Sequence, residues 1–567
     1  MSALGTLTFD GNGKYTISGT ELTSNGSGTN TTTSLTTSGT YQVLSNGMFY
    51  MDGFATANPV YVGVASGPIL VGSSTDSPDL DTFVAIPVAN NNASNATLSG
   101  NYNVASLEFQ NGDFTLTRDT FFTMTANGSG SLGNPSVSGY ANNLGTTAVS
   151  QSISGANYTV GTAGNGTMTL PAPSGVAAAS QLLTGAKTLY VTPDGSFFIA
   201  GSASSYDMIV GVKALTGSTN TTPLSGLYFT AIVEDDLTSG GFGLYSSYGV
   251  GNESSGTELA YERSTDPVDG SYDSTYDDTF AFQGNGTFSG TYSQYAAGAG
   301  GNIAIGSGAS GLYFLNIYAK APALSGSGVF LNPQAIVNTA SYAPFEASIT
   351  PGEFITLFGS GLSTQTATAT SLPFPTTLGN VQVTIDGTAI PLYVVSPGAI
   401  AGIVPYTSRT DGNLVTIQVV SNGTKSNAAQ LYSGTTAPGV FTLTQNGVGD
   451  GAILDAATYA PITTSNPAKI GEQVALFLSG LGPVNSTVAA GAAGPSSPLA
   501  YLVNPLLGVY IDGVSATINY QGLAPGLAGL YQLNVTIPAG VTTGTSVDLE
   551  IDTVDAYNSQ ATIPISK

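Results

Sequence analysis

The sequence predicts an all-β chain: tandem antiparallel β modules, each a barrel or a sandwich, followed by two immunoglobulin-like sandwiches. Three observations carry this. Short runs such as Thr167-Met168-Thr169-Leu170 alternate polar and apolar residues, the period of a half-buried strand. Glycines in Gly-x-Gly pairs punctuate these runs where tight hairpins demand positive φ. Two different segments repeat along the chain at domain-sized intervals. Helical spacing of apolar residues is scarce, and Glu, Lys and Arg, all good helix formers, are rare.

The first repeat organises residues 1–322. Segments 69–88, 197–215 and 302–319 each read as an apolar strand, a Gly-Ser turn, a variable loop and a second apolar strand. They are taken as one closing hairpin used three times. Leu98-Ser99-Gly100-Asn101-Tyr102 matches Leu224-Ser225-Gly226-Leu227-Tyr228 as a shared opening. Glycine turns lie between, as at Gly11-Asn12-Gly13, Gly128-Ser129-Gly130, Gly164-Asn165-Gly166 and Gly284-Asn285-Gly286. These lead into strands and carry no basic partner, so they are turns and not phosphate loops. The expected modules are 1–90, 97–216 and 223–322, as separate units or as one continuous solenoid. Module 1 is expected to lack the first strand that the Leu-Ser-Gly opening supplies to the other two, leaving a sheet edge that invites pairing.

The second repeat organises 330–435 and 436–567. Ile349-Thr350-Pro351-Gly352-Glu353 with Leu357-Phe358-Gly359-Ser360-Gly361-Leu362 corresponds to Lys469-Ile470-Gly471-Glu472 with Leu476-Phe477-Leu478-Ser479-Gly480-Leu481. Each copy follows a Tyr-Ala-Pro triplet, 342–344 and 459–461, and precedes an Ile-Asp-Gly step, 385–387 and 511–513. Each then reaches a Val/Ile-Pro step, 404–405 and 537–538, and a last alternating strand. Short strands with turns at this spacing fit immunoglobulin-like sandwiches. Asp386 and Asp512 recur because Asp-Gly is a hairpin-turn signal.

With these motifs in order, the C-terminal part resembles the IPT/TIG immunoglobulin-like domain. The larger block from Phe330-Leu331-Asn332-Pro333 to the segment 522–535 is similar to a C-terminal domain found on large secreted proteins of Acidobacteria, notably the Solibacter group. That resemblance implies an extracellular setting and an immunoglobulin-like fold, and brings no catalytic residues with it.

Composition bounds the function. The chain has 567 residues, with Lys plus Arg 10 against Asp plus Glu 34, a net charge of −24. Such a chain repels phosphate backbones, so nucleic acid and anionic membranes are poor partners. Only 8% of residues are charged, against about 25% in an average soluble protein, so Ser, Thr, Asn and Gly must cover the surface. With no His and no Cys, Ser-His-Asp catalysis, histidine-ligated metal, thiol chemistry and disulfides are excluded. No apolar run is long enough for a transmembrane helix. No leader is read ahead of the strand pattern at Thr6–Phe9, so a secreted chain of this sequence is expected to be a mature form.

Acidic side chains are the remaining chemistry. The run Asp266, Asp269, Asp273, Asp277 and Asp278, interleaved with small polar residues, is the candidate Ca²⁺ loop, set against a plain solvated loop. Asp10 and the segment 76–81 are lesser candidates. Paired carboxylates for glycoside hydrolysis would come from Glu234, Asp235, Asp236 and Glu262 together with that run. The expectation is an extracellular or cell-surface structural or adhesive protein and not an enzyme. It is expected to be a rod of β modules that associates with itself or with other surface proteins, and to self-assemble by strand addition with Ala561–Ile565 as donor. The alternatives are a polysaccharide-binding protein with tyrosine platforms and a carboxylate-dependent carbohydrate enzyme.

Overall fold

The structure, a computed structural model, describes every residue except 25–29, 53–59, 67–68, 75–79, 216–223, 238–242, 267–269, 291 and 310. Among the described residues there are strands and single-turn 3-10 segments but no α-helix. The chain is all-β, built of tandem antiparallel sheets.

The second module is a closed meander, and the third repeats its strand order, with its Gly270–Thr279 edge continuing to Ala556–Ser566. In the second, nine strands run from Ser99–Phe109 to Tyr206–Lys213. The first and last of these pair antiparallel from Tyr102↔Lys213 to Phe109↔Tyr206. The remaining seam is closed by segment 130–135, through Leu132 N–H to the Ala156 carbonyl (3.0 Å) and Tyr158 N–H to that of Gly130 (2.8 Å). In the third module, Gly226–Asp236 and Leu312–Lys320 pair in the same way, from Tyr228↔Lys320 to Asp236↔Leu312. The openings do matching work. Tyr102 and Tyr228 are fully buried, and their hydroxyls donate to the carbonyls of Gly195 and Gly301.

The first module is a seven-stranded meander from Ser2–Phe9 to Phe83–Ala85. Among the described residues no strand joins these two edges: Ser2–Phe9 pairs with Lys14–Ser24, and Phe83–Ala85 with Ile69–Ser74.

The closing hairpins are apolar on both faces because both faces are covered. Ile69–Ser74 and Ile303–Gly308 are buried at every position. One face lines its own module. The other enters a core shared by all three, which joins Ile69 and Val71 to Ala105, Leu107, Val210 and Val212, and to Ala231, Val233, Leu315 and Ile317. This corrects the expected rod. Strands with apolar residues facing outward cannot stand end to end in water, so the modules pack side by side. The three sheets are also distinct, which sets the solenoid aside.

The fourth unit is a two-sheet sandwich of five and four strands around a core that includes Ile355, Leu357, Val383 and Ile417. Leu44 and Met48 of module 1 and Phe229 and Val250 of module 3 enter the same core, and Gln334 Nε2 donates to the Asn46 carbonyl at 2.8 Å. The fifth unit is a second sandwich, with Leu476, Leu533, Leu549 and Ile563 at its centre. In both, the Ile-Asp-Gly step is a tight hairpin: Asp386 and Gly387 have φ of 49° and 80°, Asp512 and Gly513 of 53° and 69°. Each carboxylate also accepts a backbone N–H of another strand region, Thr416 at 2.8 Å and Thr542 at 2.7 Å.

The last strand, Ala556–Ser566, lies within the structure. It pairs antiparallel with Gly544–Asp552 and parallel with Gly270–Thr279, so that one sheet runs from the third barrel into the second sandwich. Ile563 and Ile565 are core residues. The expected donor segment is therefore already paired and buried, and cannot leave without opening its own sandwich.

Candidate functional site

Strand alternation builds a cleft on the outer face of the first sandwich. Along Phe354–Ser360, Ile355 and Leu357 point into the core, so Phe354, Thr356 and Phe358 face outward. The neighbouring strand Ala399–Ile403 sends Ile400 inward and presents Ala399 and Ala401 opposite Phe358 and Thr356. Small residues flanked by rings leave a trough. Tyr393 rises beside it from Leu392–Val395, edge-on to Phe354 at 5.8 Å and tilted against Phe374 at 5.3 Å between centroids.

Segment 369–374 forms one wall, and Phe441, Leu527, Ala528 and Leu530 of the second sandwich form the other. The cavity holds about 740 Å³, within the usual range for a small-molecule or chain-segment site. No Asp, Glu, Lys or Arg lines it; Thr339, Thr356, Thr370, Ser371 and the tyrosines supply the polar groups.

The two sandwiches are tied together around this cleft, so it is pre-formed. Phe354 N–H donates to Ser479 Oγ at 2.8 Å, and Phe374 N–H to the Gly491 carbonyl at 2.9 Å. The Tyr531 hydroxyl contacts the carbonyls of Pro351 (3.0 Å) and Gly482 (2.5 Å). Asn338 Nδ2 reaches the Ala437 carbonyl at 2.9 Å. Sequence reasoning did not find this site, since its lining comes from several separate segments. The available signal was Phe354-x-Thr356-x-Phe358, a strand whose second face is apolar enough to need cover.

The expected Ca²⁺ residues are not gathered. Asp273, Asp277 and Asp278 lie on a regular strand, Gly270–Thr279, whose side chains alternate between faces, and not on a loop. Alternating Tyr272, Ser274 and Tyr276 make that run strand-forming. Asp273 faces outward and accepts from Arg263 Nη1 at 2.7 Å and from the Tyr261 hydroxyl at 3.0 Å. Asp277 shares that face, whereas Asp278 lies on the other. Asp266 stands opposite Gly270 at the far end of the hairpin. Asp269 lies outside the described residues, as does Asp76. Asp10 and Asp81 serve turns, accepting the N–H groups of Asn12 (2.7 Å) and Ser74 (2.6 Å). Among the described residues no three acidic side chains stand close enough to enclose an ion as they are.

Of the candidate carboxylates, Glu234 and Glu262 share the interior of the third barrel. Burial first, then the neighbouring charge of Glu262, pushes Glu234 up to about 8. Glu262 accepts from the Tyr276 hydroxyl at 2.9 Å and Ser264 Oγ at 3.0 Å. Asp235 points the other way, accepting from Thr117 of the second module at 2.5 Å. Two further interior acids were missed, Glu253 and Glu258. They flank a Ser-Ser-Gly-Thr turn, and equal spacing on either side of a hairpin turn sets them directly opposite.

No family model matches the chain, and no curated protein matches it. Among solved structures, the full extracellular region of Plexin A4 aligns at 8% identity and a TM-score of 0.10, covering 98% of this chain and 56% of that one. So low a score carries no argument, and the chain spans little more than half the length of that structure.

Proposed function

We propose that this chain is an adhesive protein of the cell surface or extracellular matrix that holds uncharged polysaccharide in the cleft between its two sandwiches. The observation that carries the reading is a pre-formed cleft of about 740 Å³ lined by Phe354, Phe358, Phe374, Tyr393 and Phe441, without a charged side chain. Sugar rings offer C–H faces that pack on aromatic rings, and hydroxyls that suit Thr and Ser. A chain of net charge −24 without a basic residue in its cleft disfavours uronate or phosphate ligands. The resemblance of 330–567 to domains of secreted proteins supports the extracellular setting. Catalysis is not part of this reading.

The test is retention on insoluble neutral polysaccharides such as cellulose, chitin and mannan, with wild type beside Tyr393→Ala and Phe374→Ala. Losing one stacking ring is expected to weaken binding roughly tenfold, about 1.4 kcal/mol. Retention unchanged by either substitution, or none on any glycan of the panel, would sink the reading.

Self-association is the second reading, favoured by the edge strand Ser2–Phe9, which among the described residues pairs on one side alone, with Lys14–Ser24. In the same module Ala3, Leu7, Phe83 and Ala85 are only half-buried. Modules 2 and 3 place a tyrosine-bearing opening strand at the corresponding position. Negative-stain electron microscopy decides: filaments abolished by Thr6→Pro would support strand addition, and discrete single particles would reject it.

A further inference from the structure

The second barrel holds a lysine in its interior. Alternation along Gly185–Val191 places Lys187 on the same face as Leu189 and Val191, opposite core Met168 of the next strand. Asp207, on Tyr206–Lys213, shares the inward face of its strand with Ile209. The two side chains are 3% and 0% exposed and form an ion pair. They lie on strands that are not neighbours, since Phe197–Gly201 runs between them.

Ser202, just past that middle strand, joins the pair. Its hydroxyl accepts from Lys187 Nζ at 3.0 Å and donates to Asp207 Oδ2 at 3.1 Å. Its backbone N–H donates to the other carboxyl oxygen, Oδ1, at 2.7 Å. The lysine nitrogen also contacts Oδ2 directly. An amine, a hydroxyl relay and a carboxyl polarised by an N–H thus meet in one enclosed space.

The other charges nearby have partners of their own. Glu108, opposite Asp207 on the ladder, accepts from Ser205 Oγ at 2.9 Å. Arg118, opposite Glu108, donates to the Gln181 carbonyl and to Gln110 Oε1. The meander itself does not need a lysine–aspartate pair: in the third barrel the residue that pairs with Glu234, the counterpart of Glu108, is Phe314.

We propose that Lys187 and Asp207 condense in the folded chain to an amide, a covalent staple across the second barrel. Nζ attacks Cγ; the Nζ–Cγ bond forms and the Cγ–Oδ2 bond breaks. Starting from the ion pair, two Nζ protons pass through Ser202 Oγ to Oδ2, which leaves as water. Oδ1, held by the Ser202 N–H, becomes the amide carbonyl. One cation and one anion are replaced by a neutral group, and no oxidant or further reactant is needed. Two effects favour the step. Keeping an ion pair out of water is costly, and the amide removes both charges. The fold also holds the amine against the acid, an effective concentration of about 10⁵ M or more. In a chain without cysteine, such an amide supplies the covalent tie that a disulfide cannot.

The test is mass spectrometry of the full chain, denatured after folding, beside Lys187→Arg and Ser202→Ala. The wild type is expected about 18 Da below its sequence mass, one water lighter. Trypsin should fail to cut after Lys187, so that 119–213 appears as a single peptide lacking that water. Water lost by closure of an Asp-Gly step would leave this cut intact, which separates the two. Lys187→Arg keeps the cation without the attacking amine and should return to its full mass. Ser202→Ala keeps the N–H but breaks the relay, and should slow the mass loss after synthesis about a hundredfold. Wild-type peptides 119–187 and 188–213 at full mass overturn the proposal whatever the variants do. So does a water loss within 119–213 that persists in Lys187→Arg.

Discussion

Replacing Glu234 by Gln should make the third barrel more stable at alkaline pH and leave it nearly unchanged in acid. Glu234 is 7% exposed, beside Tyr245, with Glu262, Asp236 and Asp235 nearby, and has no cation where its counterpart Glu108 has Arg118. Burial, followed by these negative neighbours, moves its titration from 4.5 to about 8. The folded state therefore keeps a proton that the unfolded chain releases near 4.5. Stability from this group is complete below pH 4.5 and drains away as pH rises toward 8. The full span corresponds to ~5 kcal/mol, an upper figure because a barrel that admits water at the mouth relaxes. Glutamine mimics the protonated acid in shape and hydrogen bonding and has nothing to lose. Glu346 and Glu353, also pushed up to about 8 by burial, impose the same trend on both proteins, so the difference between variant and wild type isolates position 234. The assay is scanning calorimetry in chelator at pH 4.5 and 8.5, following the transition that contains the third barrel. An advantage of Glu234→Gln that grows between these values by several degrees is expected. A constant difference, or one that favours wild type at pH 8.5, would show that the carboxyl is ionised and stabilised in the folded barrel, and refute the reasoning.

Two further outcomes follow from the second barrel. Lys187→Met removes the cation from buried Asp207, which then faces Glu108 across the ladder; a loss of about 3–5 kcal/mol is expected in denaturant unfolding at pH 7. Tyr102→Phe keeps the ring and leaves the Gly195 carbonyl without its donor at 2.6 Å, so about 1–2 kcal/mol should be lost without change of fold, checked by circular dichroism and urea titration.

Much of the fold was legible because its signals are local. Alternation, Gly-x-Gly turns and Asp-Gly steps report what a few neighbouring residues do, and the structure shows a hairpin at the Asp-Gly step in each sandwich. The all-apolar closing hairpins, such as 302–319, were legible as strands, but their two-sided burial was not, because a local pattern does not say what lies against the outward face. The part of the acidic run at 270–278 was misread as a loop for a related reason. Spacing of aspartates drew attention away from Tyr272 and Tyr276, whose alternation set the backbone.

The sites depended still more on distance in the chain. The cleft needs Phe354, Tyr393, Phe374 and Leu530 from separate strands and loops. Glu253 and Glu258 come face to face only through the hairpin register. By itself the sequence determined the secondary-structure class, the repeats, the turns and the chemistry that is impossible without histidine or cysteine, since these follow from residue type and short-range sterics. Only the tertiary structure decided that the modules pack side by side, that the terminal strand is consumed within the chain, and that Glu234, Glu253 and Glu258 end up buried inside the third barrel. Those outcomes turn on which faces meet, and burial is a property of the whole assembly of strands.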